Sequence, residues 1–259
     1  MQSIPELGET LIEAGRLKLR PLCVYGTDEI PQGAVPSYTI DRCIAKAVYA
    51  AALFEKTTPL YVDASHEQCC HGGMTWMGFI EPHAKLKYFV TVGAQDYRGG
   101  AAEYLKATPE LFEEQRKLAG KITPPARHII IGPCTEEVDH IAPEMVRSLI
   151  LFAGSEQIRN LCGLAQFSSP DPFFKTLIPA GATCSMMITY PAGFAENAPK
   201  DSAYVGPTDP TGNPWLPGDL MIMSIPISLA RRMAADLDES FIGRRNRVAY
   251  PKRRSVITP

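Results

Sequence analysis

The chain has 259 residues, 45% of them apolar, with 26 basic and 28 acidic side chains and a formal charge of −2. That content can bury a full core without disulfides or a structural metal, and near-neutrality excludes a global field for nucleic acid or an anionic membrane surface. No window approaches the ~18 uninterrupted apolar residues of a membrane span, so neither a membrane nor a nucleic acid is expected as a partner.

In chain order, Ile4, Leu7, Leu11 and Ile12 at helical spacing, with Glu6, Glu9 and Glu13 between them, predict an N-terminal helix over 1–16 that lacks the basic n-region of a signal peptide. Apolar runs predict strands at 22–25, 59–63, 86–92, 128–131, 149–152, 186–190 and 220–226. Several are continuous, as in strands covered on both faces. Helical patterns fill 39–54, 100–118 with a break at Pro109, 155–167 and 227–237. The alternation predicts an α/β or α+β fold: a single layered mixed-sheet domain over 1–259 with flanking helices.

Two further features concern organisation. The order strand, helix, strand, small-residue turn with a cysteine occurs twice, ending at Cys70 and at Cys184, and suggests an internal pseudo-duplication that makes those two cysteines equivalent. Residues 190–219 are dense in Gly and Pro yet contain Phe194, Tyr204, Trp215 and Leu216, which predicts a long ordered loop acting as a lid, a pocket wall or a subunit contact. The basic tail 244–259, with Arg244, Arg245, Arg247, Lys252, Arg253 and Arg254, reads as a solvated arm or subunit contact, so a homo-oligomer stays open.

The chemistry concentrates in cysteine. Without an export signal the seven thiols are expected to stay reduced in a cytoplasmic setting. Cys43 opens a predicted helix, where the dipole and free N–H groups favour a thiolate, and Arg42 adjoins it. Cys70 lies in Cys69-Cys70-His71-Gly72-Gly73, where Gly72 and Gly73 let backbone approach a ligand and His71 is a candidate extra ligand. Cys184 follows the turn at Gly181. There is no C-x-x-C, so a zinc ribbon and a bacterial ferredoxin pattern are both excluded. Three readings stay open: buried packing thiols, a metal or cluster site, and a nucleophile at Cys70.

The other candidates are weaker. Cys23, Cys134 and Cys162 read as structural. Arg98 ahead of Gly99-Gly100 could clamp an anion at a helix N-terminus, or sit in a plain turn. Glu156 and Arg159 pair at i, i+3, and His83, His128 and His140 stand singly.

Taken together, Asp41-Arg42-Cys43, Cys70-His71-Gly72-Gly73, Gly154-Ser155-Glu156-Gln157, and Cys184 ahead of Tyr190-Pro191-Ala192-Gly193 resemble the domain-of-unknown-function 169 family, the uncharacterised ArCR group, over roughly residues 17–237. The resemblance implies that Cys43, Cys70 and Cys184 act together, in a cytosolic and anaerobic setting. It lends no activity. Arg42 directly before Cys43 and His71 directly after Cys70 depart from the family pattern. The expectation is a redox-related protein holding an iron–sulfur cluster, with zinc or no metal as alternatives, that meets a small molecule or redox partner. A non-catalytic small-molecule sensor and a thiol enzyme are the competing classes.

Overall fold

The computed structural model describes residues 2–209 and 211–244. One eight-stranded mixed sheet organises it, in the order β2-β3-β4-β1-β5-β8-β7-β6. The strands are β1 (Leu22–Thr27), β2 (Val35–Pro36), β3 (Leu60–Asp63), β4 (His128–Pro133), β5 (Val146–Gly154), β6 (Thr176–Leu177), β7 (Ala203–Gly206) and β8 (Leu220–Pro226). The α-helices are α1 (Ile4–Gly15), α2 (Ile44–Leu53), α3 (His71–Trp76), α4 (Leu86–Val90), α5 (Pro109–Ala119), α6 (Glu136–Asp139), α7 (Ser155–Gln166), α8 (Ile227–Asp236) and α9 (Phe241–Arg244). Among the described residues no helix is long and apolar enough to cross a membrane.

Both faces of the sheet are covered. Ile129, Ile131, Ile150 and Phe152 pack with α2, Trp76 and Met186 on one face, whereas Ile130, Leu149, Leu151 and Met223 pack with α1, α7 and α8 on the other. Alternate residues of one strand therefore enter two different cores, which is why these runs lack the apolar–polar alternation of a half-exposed strand. The N-terminal helix begins as its sequence directs: Ser3 caps α1 and closes a capping box with Glu6.

The repeat is real at the level of strand order. From the central antiparallel pair β1 and β5 outward, one half runs β1-β4-β3-β2 and the other β5-β8-β7-β6. In each half the outermost pair is parallel and the two inner pairings are antiparallel. The halves are related by a pseudo-twofold axis passing between β1 and β5.

That symmetry corrects the predicted cysteine equivalence. A parallel pair needs a crossover. Helix α2 makes it between β2 and β3, and its counterpart between β6 and β7 is the π-helical turn Ser185–Thr189. Cys43 is the residue preceding α2 and Cys184 the residue preceding the π turn. Each lies seven residues beyond its strand, after Pro36 and Leu177 respectively. Cys184 thus matches Cys43, not Cys70. The misleading helix, α7, packs on the opposite face of the sheet from α2.

Two predicted strands are helical. Within residues 86–92, Leu86–Val90 form α4, closed by Thr91 Oγ1 donating to the Lys87 carbonyl at 2.6 Å and by Gly93 at φ 80°. Residues 186–189 fall in the π turn, which is closed by the Tyr190 N–H reaching back to the Ser185 carbonyl at 2.8 Å. Short apolar runs do not separate strand from buried helix, and here the crossover decides. The helix predicted over 100–118 starts only at Pro109, capped by the Thr108 side chain. The described residues of 190–219 are not one loop, because β7 runs through them and pairs with β6 and β8. Apart from Arg244, the basic tail lies outside the described residues.

Candidate functional site

Three chain segments meet at the start of α2. The Cys70 N–H donates to the Arg42 carbonyl at 2.8 Å, which sets the residue preceding α3 beside the residue preceding α2. The Arg42 guanidinium donates to the Gln68 carbonyl at 3.4 Å, on the outside of this junction, and so acts as a strap between the segments. Asp41 accepts the Cys43 N–H at 2.8 Å and pairs with Lys46 at 2.7 Å, fixing the entry into the helix.

The sulfurs of Cys43, Cys70 and Cys184 form one hydrogen-bonded group with Cys70 in the middle. The first-turn amides of α2 fan across it: Ile44 toward Cys70, Ala45 toward Cys43 and Cys184, Lys46 toward Cys43. Hydrogen bonds from Cys184 and then Cys43, aided by the Ile44 and Gly73 amides, draw the Cys70 pKa far below the ordinary thiol value despite burial. Donation to Cys70, and burial, push Cys43 and Cys184 up. The three thiols are therefore coupled, with negative charge favoured at Cys70 over its two partners, and the protons belong to the group as a whole.

Gly73 makes the approach possible. A Cβ there would lie 2.9 Å from Ile44 Cδ1, 3.0 Å from Cys70 Sγ and 3.4 Å from Cys184 Sγ. A Cβ on Gly72 would meet nothing within 4 Å, so its freedom is not used in this way. His71 is exposed on the rim of the adjoining cavity. Cys69 faces away, its sulfur 3.4 Å from Ser37 Oγ. The remaining cysteines, Cys23, Cys134 and Cys162, pack among residues of the core on the opposite face of the sheet.

The thiols open into a cavity of about 330 Å³ with apolar walls from Trp76, Leu86, Phe89 and Phe112. Its polar lining includes Arg98, Glu103, Thr183, Asp209 and Asn213, with His71 at the rim. Arg98 is not at a helix N-terminus, as no helix follows until α5; it sits in a short 3₁₀ turn at φ 52°, with its guanidinium 4.3 Å from the Phe89 ring centre. Burial, then the nearby Asp209 charge, raise Glu103 to about 7 against the pull of Arg98. Burial also raises Asp209, although Gly212 N–H and Thr211 Oγ1 donate to its carboxylate at 3.0 and 3.3 Å. Asn213 is 7% exposed and donates from Nδ2 to Thr183 Oγ1 at 2.5 Å and to the Asp209 carbonyl.

Sequence reasoning missed Glu103, Asp209 and Asn213. The Asp-x-x-Gly spacing of an Asx-type turn at Asp209 was the only available signal, and it marks a turn without naming its ligand. The expected pocket wall is present in part: Asp209, Gly212 and Asn213 line the cavity, while the half-buried Trp215 instead packs against the core, 5.6 Å between its ring centre and that of Tyr49. As the side chains stand, no group of three or more His, Cys, Asp or Glu residues among the described residues encloses a metal-binding point.

Set beside known proteins, residues 10–236 match the family model described as domain of unknown function 169, uncharacterised ArCR. The chain belongs to that family. No curated protein and no solved structure matches it.

Proposed function

We propose that Cys43, Cys70 and Cys184 form a three-thiolate site for an iron–sulfur cluster, or alternatively zinc, at the floor of a small-molecule pocket, in a cytosolic redox-related protein. The observation that carries this reading is the convergence of three cysteines from three separate segments onto one helix N-terminus. Packing thiols need no such convergence and no shared set of amide donors. The fan of N–H groups favours thiolate, the form in which cysteine ligates metal, and would stabilise cluster sulfide equally well. A metal bound by Cys43, Cys70 and Cys184 would displace their thiol protons, so affinity would rise with pH. Gly72, Gly73 and the rim residue His71 border the site, with His71 outside the ligand set in this reading. The pocket admits a small molecule, and an external redox partner is the expected electron source.

Anaerobic reconstitution of the full chain with ferrous iron and sulfide, and separately with zinc, tests this directly. Stoichiometric uptake that disappears in Cys43→Ala, Cys70→Ala and Cys184→Ala supports it. Uptake independent of these residues, or none, ends it.

A second reading makes Cys70 a nucleophile, favoured by the depressed pKa that its two thiol neighbours impose. It predicts rapid single-site alkylation at neutral pH that is abolished in Cys70→Ala and unaffected by metal chelators.

A further inference from the structure

The pseudo-twofold axis relates more than the two cysteines that precede helical turns. Asp63 ends β3 and Gly206 ends β7, at the same position of their strands. Seven residues beyond Asp63 is Cys70, and seven beyond Gly206 is Asn213. Both line the same cavity, together with Cys43 and Cys184. Counted from the paired strands, two matched pairs thus line this cavity: Cys43 with Cys184, and Cys70 with Asn213. Three carry thiols and one carries an amide.

We infer that Asn213 occupies the fourth position of the cradle and leaves that corner open to an exogenous ligand. This rests on the three-thiolate reading above. Both Asn213 contacts, to Thr183 Oγ1 and the Asp209 carbonyl, are made by its amide nitrogen, which holds the side chain back against the protein. Its amide oxygen accepts no hydrogen bond among the described residues. A fourth thiolate would complete a closed structural site, whereas three protein ligands and an open position are what substrate-binding metal centres keep. The ligand chemistry follows from the lining. It is a small molecule with one donor atom for the metal and a hydrogen-bond-donating group for Asp209 and Glu103, within a cavity of about 330 Å³. This volume is at the small end of the ligand range.

Cobalt(II) in place of the native metal reports both thiolate count and open positions, and imidazole serves as the probe ligand. The wild-type full chain, loaded without oxygen, should show sulfur-to-cobalt charge transfer, and imidazole should shift its visible bands saturably. Asn213→Cys should raise the charge-transfer intensity by roughly one-third, as expected for a fourth thiolate, and abolish the imidazole response. Asn213→Ala should keep the three-thiolate spectrum and move imidazole half-saturation by roughly tenfold or more, the size of effect seen when groups around a metal site are removed.

A wild-type site that binds cobalt through the three cysteines but ignores imidazole overturns the open corner and leaves the three-thiolate reading intact. So does an Asn213→Cys protein that gains no thiolate band, or an Asn213→Ala protein with unchanged half-saturation. Absence of cysteine-dependent cobalt binding in the wild type fells the three-thiolate reading, and this inference with it.

Discussion

The two halves of the sheet share a strand order and differ in the connection that leaves their third strand. After β3 the chain forms α3, with Cys70 preceding it and Gly73 pressed against two sulfurs. After β7 it forms a tight turn built on Asp209, which presents Asn213 at the matching position. Even the residues between obey the relation: His66 and Asp209 each lie three residues beyond their strands. His66 belongs to a buried cluster in which Asp63 meets His128 Nδ1 at 2.9 Å, while Asp209 turns toward the cavity. A common scaffold supplies one cysteine ahead of each crossover, and the divergent connections supply the asymmetry.

The sharpest way to break the comparison is to remove the symmetric thiols one at a time. Cys43→Ala and Cys184→Ala should each weaken metal binding by at least roughly 100-fold and to a similar degree, since loss of a ligand must exceed the 10–100-fold cost of losing a supporting contact. A metal titration that shows one of them dispensable would deny their equivalence. The two glycines of α3 offer the next test. Gly73→Ala forces a methyl against Ile44 and Cys70 and should cost about 1–3 kcal/mol in a urea melt, as overpacking does. Gly72→Ala should stay within about 0.5 kcal/mol.

Titration sharpens the contrast further. Glu103 has a folded pKa raised to about 7, so the wild type loses stability as pH rises from the unfolded value of 4.5 through that range. Glu103→Gln should remove this loss and stabilise the protein at pH 8 by an amount of order 2 kcal/mol, with no gain below pH 4. The matched pair His66 and Asp209 should show slopes of opposite sign. Burial lowers the His66 pKa, so stability relative to His66→Gln should fall as pH drops below the unfolded value of 6.5. Burial raises Asp209, so stability relative to Asp209→Asn should fall as pH climbs above the unfolded value of 3.8. Thermal melts across pH 4–8 would detect slopes of the same sign if the two environments were alike.

Much of this was legible in the residues, and the failures have physical causes. β1, β4 and β8 were readable because their side chains enter the two cores alternately, making uninterrupted apolar runs. α1, α7 and α8 were readable from a 3.6-residue stripe on one covered face. The runs at 86–92 and 186–190 carry the same composition, but their backbone is decided by tertiary demands: a closing turn at Gly93 in the first case and a crossover between β6 and β7 in the second. The convergence of Cys43, Cys70 and Cys184 came through the family resemblance and the types of turn they occupy. Asn213 was beyond reach, since nothing local marks it, and only the strand symmetry sets it at the position matching Cys70.

The most direct measurement is metal and sulfide content with visible absorption for the full chain purified without oxygen, wild type beside Cys43→Ala, Cys70→Ala, Cys184→Ala and Cys69→Ala. The account predicts stoichiometric metal in the wild type and in Cys69→Ala, whose sulfur faces Ser37, and loss in the other three. A metal-free wild type, or equal loss in Cys69→Ala, would contradict it.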